Sequence, residues 1–148
     1  RKLARLVKPS LYYNTKAKKL KSFVNFLYEK YNGNLDLMLK QPKEKLREQL
    51  LEVWGVGPET ADSILLYAGN KKSFVVDAYT KRIFHRLGLI GKNSSYDEVK
   101  DFFEENLPGD VRVYNEYHAL IVELGKNYCR KKPLCKECCI KKYCFKRI

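Results

Sequence analysis

Apolar residues recur along this chain at steps of three and four, the spacing of amphipathic helices. From Asn14-Thr15, taken as a cap, a long helix is predicted to about Tyr31, with Leu20, Val24, Leu27 and Tyr31 on one face. Asn32-Gly33-Asn34 ends it, and a short helix around Leu35 to Leu39 precedes Pro42. KEKLREQLLEV, Lys43 to Val53, aligns Leu46, Leu50 and Val53; PETADSILLYA, Pro58 to Ala68, aligns Ala61, Ile64, Leu65 and Ala68. Further helices are predicted from Ala78 to Leu87 and from the capping box Ser95-Tyr96-Asp97-Glu98 to about Asn106. Pro108-Gly109 breaks the chain, and VRVYNEYHALIVELGKNYC is helical again. The pattern predicts an all-α protein, divided into residues 1–90 and 91–148, with no repeat, transmembrane span or targeting segment. Tyr13, Phe23, Phe26, Phe102 and Phe103 are expected in the core, and His85 and His118 as structural histidines.

Two of these helices must meet at Gly55-Val56-Gly57. Glycine tolerates the positive φ of so tight a turn, and Pro58 at the first helical position has its φ preset and lacks an N–H that would have no partner there. The amides of the turn and of the second helix's first residues then point outward as an anion site, for which a DNA phosphate is the obvious occupant. An ordinary αα-hairpin is the alternative. Downstream, Asp77 follows the apolar run Phe74-Val75-Val76 and opens a helix. That position suits a carboxylate exposed to a cleft, and equally a plain N-cap.

Charge bears on the same question. Thirty Lys and Arg against seventeen Asp and Glu give a net charge of +13, dense in KAKKLK, NKK, GK and the cysteine-bearing end. A phosphate backbone is the natural counter-surface, although solvated helix faces or a thermophilic composition also account for lysine. All five cysteines fall in NYCRKKPLCKECCIKKYCFKRI, an odd number with no signal peptide, which argues against a secreted disulfide framework. Cys129, Cys135, Cys138 and Cys144 are spaced C-x5-C-x2-C-x5-C, a set that suits an iron-sulfur cluster or a structural zinc equally well; Cys139 is the spare.

The segment Trp54-Gly55-Val56-Gly57-Pro58-Glu59-Thr60-Ala61, followed by Val75-Val76-Asp77, resembles the helix-hairpin-helix and Gly/Pro-Asp signature of the endonuclease III superfamily of DNA glycosylases. The resemblance implies that Asp77 is the catalytic carboxylate, which stabilises the sugar cation as the base leaves. It implies that Trp54, Gly55, Val56, Gly57, Glu59 and Thr60 grip double-stranded DNA containing a damaged base. Leu11 or Tyr12 would wedge into the vacated stack. Members that also cut the backbone carry a Schiff-base lysine where this chain has Glu59, so a monofunctional enzyme is implied, with Lys71, Lys72 and Lys81 near enough in sequence to substitute. The cysteine spacing lies within one residue of the family's loop and implies a [4Fe-4S] cluster. The phrasing around Glu59 and Asp77 is similar to the branch acting on alkylated purines; a glycosylase for mismatched or oxidised bases and a non-catalytic DNA-binding module are the rivals. His118 sits in a helix similar to one that buttresses the Asp77 cleft. The opening RKLARLVKPSLYYNTKAKKL resembles a point inside the usual family chain, so the first helices are expected to be absent. An apolar groove would then await a separate segment or a second copy. A cytoplasmic, nucleoid-associated setting in a prokaryote is expected.

Overall fold

A computed structural model describes residues 2–145; Arg1, where the chain begins, and the tail Lys146-Arg147-Ile148 lie outside the described residues. The described residues contain helices and no strand: α1 (Lys2–Leu6), α2 (Tyr13–Tyr31), α3 (Leu35–Leu39), α4 (Lys43–Glu52), α5 (Pro58–Ser63), α6 (Ala78–Leu87), α7 (Tyr96–Asn106) and α8 (Val111–Asn127). A short 3-10 turn spans Lys141–Tyr143. The chain forms two compact units that divide between Gly69 and Asn70 rather than at the expected 90/91. The boundary falls earlier because α6 buries Ile83 and Phe84 within the second unit, where it packs along α8.

In the first unit the core joins Phe26, Leu27 and Tyr31 of α2 to Met38, Leu46, Leu50, Ala61 and Leu65. Of the face expected on α2, Leu27 and Tyr31 are buried as expected, and its N-terminal half is corrected. Leu20 and Val24 remain 45% and 46% exposed, while Phe26 is buried and Phe23 packs partly beneath it. Two apolar stripes compete on this helix, and the one carrying aromatic rings removes more surface from water. Phe26 meets Tyr31 edge to face at 5.8 Å. Nor do Asn14 and Thr15 cap the helix: Tyr12 occupies the N-cap position in the left-handed region, φ 58°, with no side-chain cap bond.

α5 ends in a π-turn over Ile64–Ala68, closed by Gly69 N–H donating to Ile64 O at 2.9 Å. The additional residue in that turn rotates Leu66 inward and leaves Ala68 outside, against the expected face. The hairpin also carries an ion pair that periodicity does not reveal. Arg47 of α4 donates from Nε and Nη2 to the two carboxylate oxygens of Asp62 at 2.9 and 3.1 Å, and Asp62 is fully buried. A two-pronged pair of this kind fixes the angle between helices as well as their spacing.

In the second unit Phe74, Val75 and Val76 form an extended strut inside the core, each no more than 2% exposed. Phe74 stacks on Phe103 of α7 at 4.1 Å and lies edge-on to Tyr114 of α8. Phe103 is thus core as expected, whereas Tyr13 is 37% exposed. At Gly125 α8 comes so close to Tyr79 of α6 that a Cβ would lie 2.3 Å from the ring.

The hairpin ion pair yields a prediction. Arg47→Met should destabilise the chain by about 3 kcal/mol in urea unfolding, because it removes both guanidinium donors from a buried carboxylate. Arg47→Met combined with Asp62→Leu should recover most of the loss.

Candidate functional site

In the second unit the strut delivers Asp77 to the N-cap of α6, and hydrogen bonds from α7 fix its height. Glu104 Oε1 accepts from Phe74 N–H at 2.8 Å, and the Tyr96 hydroxyl accepts from Val76 N–H at 3.4 Å. Lys100, itself buried, donates to the same Glu104 oxygen. Asp77 then closes a capping box. Its Oδ1 accepts from Thr80 N–H at 2.7 Å and from the Thr80 hydroxyl at 2.9 Å, and Thr80 is wholly buried.

The second oxygen, Oδ2, faces His118 Nε2 on α8 at 3.6 Å, with the two side chains only 14% and 12% exposed. That separation is long for a hydrogen bond but short enough for the imidazole to favour the carboxylate's charge. Burial pushes the Asp77 carboxyl up, and His118 and the two Thr80 donors together outweigh it, leaving its pKa below the ordinary aspartate value. The helix N-terminus adds in the same direction. Asp77 is therefore an anion at neutral pH, unsuited to donating a proton and suited to facing positive charge. The N-cap role and the charged role coexist in one side chain. His118 stands where the sequence reading put it, against Asp77. His85 is engaged elsewhere, with Nδ1 3.4 Å from Ile90 O.

The first unit holds the hairpin. Val56 N–H donates to Val53 O at 2.9 Å, closing the turn. Gly55 has φ +87°, and only glycine is at ease there. Gly57 is extended at φ −101°, ψ 179°, with open space where a Cβ would sit, so its small size leaves room outside the turn rather than relieving strain. Trp54 is 58% exposed, and Glu59 and Thr60 are exposed on the first turn of α5. Leu11 and Tyr12, on the loop before α2, are 80% and 82% exposed. Of the alternative amines, Lys81 is held by the Ser94 carbonyl at 2.9 Å and Lys72 lies beside Gly109.

The four spaced cysteines, Cys129, Cys135, Cys138 and Cys144, line one apolar-walled cavity of about 30 Å³, and exposed Cys139 does not. Among the described residues no three of His, Cys, Asp and Glu gather into a metal-holding group. α6 anchors the loop through two arginines that the sequence reading missed. Arg82 Nε donates to Cys129 O at 2.8 Å; buried Arg86 donates to Arg130 O at 2.7 Å, to Lys131 O at 3.1 Å and to Cys129 Sγ at 3.4 Å. The signal available was their spacing, two arginines four residues apart on the helix that Asp77 opens.

The model of the HhH-GPD superfamily base excision DNA repair protein matches residues 1–109. A protein of Methanocaldococcus jannaschii named as a DNA repair glycosylase is 55% identical over 148 residues, covering 99% of this chain and 67% of its own length. Endonuclease III of Thermotoga maritima is 32% identical, covering 94% of this chain and 61% of its own, and that of Sulfolobus acidocaldarius 30%, covering 88% and 56%. The chain thus spans between about half and two thirds of these relatives. A trapped endonuclease III–DNA covalent intermediate superposes with a TM-score of 0.80 at 24% identity, over 97% of this chain and 63% of that one. The fold is shared.

The pKa of Asp77 gives a testable sign. A carboxyl lowered in the folded state contributes stability above its unfolded value near pH ~4, and loses it as pH falls through the lower folded value. Asp77→Asn should flatten that acid limb in urea midpoints followed from about pH 6 to about pH 2, leaving the neutral limb parallel to that of the unaltered chain.

Proposed function

The chain belongs to the HhH-GPD superfamily of base excision DNA repair proteins, and from that premise we propose that it carries the DNA-gripping and catalytic parts of a monofunctional DNA glycosylase. The reaction is hydrolysis of the N-glycosidic bond of a damaged base in duplex DNA. The observation that carries this reading is Asp77, a nearly buried anion fixed at a helix N-terminus by Thr80 and His118. As the base departs, the sugar gains cationic character, and a preorganised carboxylate stabilises it without having to reorganise. The same group orients the water that adds to the sugar carbon. Water's proton is released as the base leaves with the bonding electrons.

The electrostatics also favour a substrate class. Because Asp77 is held ionised, it is a poor acid for protonating the departing base, so the proposed substrate is an alkylated base. Its positive charge has already weakened the bond. Glu59 supports the monofunctional assignment, since a carboxylate forms no imine with the opened sugar.

The remaining parts follow from the same premise. The hairpin turn, with Trp54, Gly55, Val56, Gly57, Glu59 and Thr60, is proposed to hold the DNA backbone, and the exposed Leu11 and Tyr12 to fill the space left by the flipped nucleotide. Cys129, Cys135, Cys138 and Cys144 are proposed to hold a [4Fe-4S] cluster. The shared cavity, the exclusion of Cys139 and the Arg86 guanidinium at Cys129 support that fit. When bound, the cluster supplies a covalent pin for the loop after α8. Between α6 and α8 an apolar groove lined by Phe84, Tyr117, Leu120 and Leu124 supports docking of a further segment or of a second copy. A cytoplasmic, nucleoid-associated setting is the one that suits this substrate.

Incubating the chain with methylated duplex DNA, alone and joined to the additional length that its relatives possess, tests the chemistry. Free alkylated base and abasic sites are expected, with Asp77→Asn reducing the rate at least a hundredfold, the usual cost of removing a preorganised electrostatic partner. Borohydride should trap no covalent adduct; robust trapping would restore an imine mechanism through Lys71, Lys72 or Lys81. Release only from mismatched or oxidised duplexes would change the substrate class, and binding without release from any of them would leave a DNA-binding module. The cofactor is checked separately: anaerobically purified protein should hold about four irons per chain. Cys139→Ser should retain them and Cys135→Ser should not.

A further inference from the structure

We propose that Lys19 contacts a DNA phosphate alongside the glycine turn, so that α2 shares the DNA grip with the hairpin. This rests on the DNA-binding reading above and adds to it a residue outside the hairpin. Four lysines, Lys16, Lys18, Lys19 and Lys21, crowd the first half of α2. Lys18 and Lys21 face a hollow shared with Leu3 and Ala4 of α1. Lys19 points the other way.

Its side chain lines a hollow of about 310 Å³ with Leu20, Phe23, Gly55, Val56 and Thr60. A Cβ built on Gly55 would lie 2.5, 3.0 and 3.1 Å from Lys19 Cγ, Cδ and Cε. The aliphatic stem therefore runs flat across the turn, where Gly55 offers no side chain to obstruct it. The ammonium, one bond beyond Cε, is carried to the rim of the same turn. This is how lysine covers apolar surface while keeping its charge in water. Among the described residues no carboxylate pairs with Lys19, so the charge is not spent within the protein.

The ligand class follows from the donor. A mobile point charge with three N–H donors suits a phosphate oxygen, reads no base edge and has no planar fork to specify one. Gly55 thus has two reasons to be glycine: its φ of +87° and the lysine stem lying against it.

Fluorescence anisotropy with an undamaged labelled duplex, titrated across salt, tests this in three variants: Lys19→Met, which keeps the stem and removes the charge; Lys19→Arg, which keeps the charge; and Lys30→Met, at the far end of α2, as the control. Thermal midpoints confirm that each is folded. Lys19→Met should weaken binding several-fold at low salt and reduce the slope of log affinity against log salt by about 0.9. Lys19→Arg should restore both, and Lys30→Met should leave the slope unchanged. If the unaltered chain binds with a steep slope and Lys19→Met behaves like Lys30→Met, the Lys19 assignment is overturned while the DNA-binding reading stands. If the unaltered chain shows no salt-dependent binding, that reading falls and Lys19 with it.

Discussion

One carboxylate must remain an anion while mostly out of water, and the second unit is arranged around that requirement. Burial alone would push the Asp77 proton on. Two donors from Thr80, the N-terminus of α6 and the nearby His118 imidazole outweigh it. The position is inherited from the strut: Phe74 is stacked on Phe103, its amide is taken by Glu104, and Val76 is held by Tyr96. Moving any of these partners moves the charge. The same helix that Asp77 opens ends by anchoring the cysteine loop through Arg82 and Arg86, so one rigid element ties the carboxylate to the loop.

The first unit faces a different problem under the proposed function, that of presenting backbone and lysine to a polyanion without losing its own geometry. The turn needs glycine at Gly55 for its φ and for close approach. The hairpin angle is locked from inside by Arg47 and Asp62, while Trp54, Glu59 and Thr60 stay exposed outside. A net charge of +13 would supply long-range attraction to that proposed partner, and solvent screens the surface lysines from one another.

Most of the helices were legible in sequence because each depends on local rules. Ser95 and Glu98 announce a capping box that forms as written, and the Gly55 turn follows from residue type alone. What stayed hidden depends on long-range competition. α2 offers two apolar stripes, and only packing decides that Phe26 goes inside with Leu27 and Tyr31 while Leu20 and Val24 do not. The π-turn that carries Leu66 inward has no sequence signature, nor does an acid buried by an arginine fifteen positions earlier. At the candidate site the N-cap position of Asp77 and the neighbouring His118 were readable, but the partners that fix the strut were not, since Tyr96 and Glu104 arrive from another helix.

The central claim is that Asp77 meets positive charge on the sugar. Affinity for a duplex containing a cationic pyrrolidine in place of the sugar, compared with one containing a neutral tetrahydrofuran, measures this without requiring turnover. Transition-state mimics typically bind at least about a hundredfold tighter than ground-state ligands. The account predicts a preference of that order for the cationic duplex, abolished by Asp77→Asn while neutral-duplex affinity is retained. A preference that survives Asp77→Asn would contradict it.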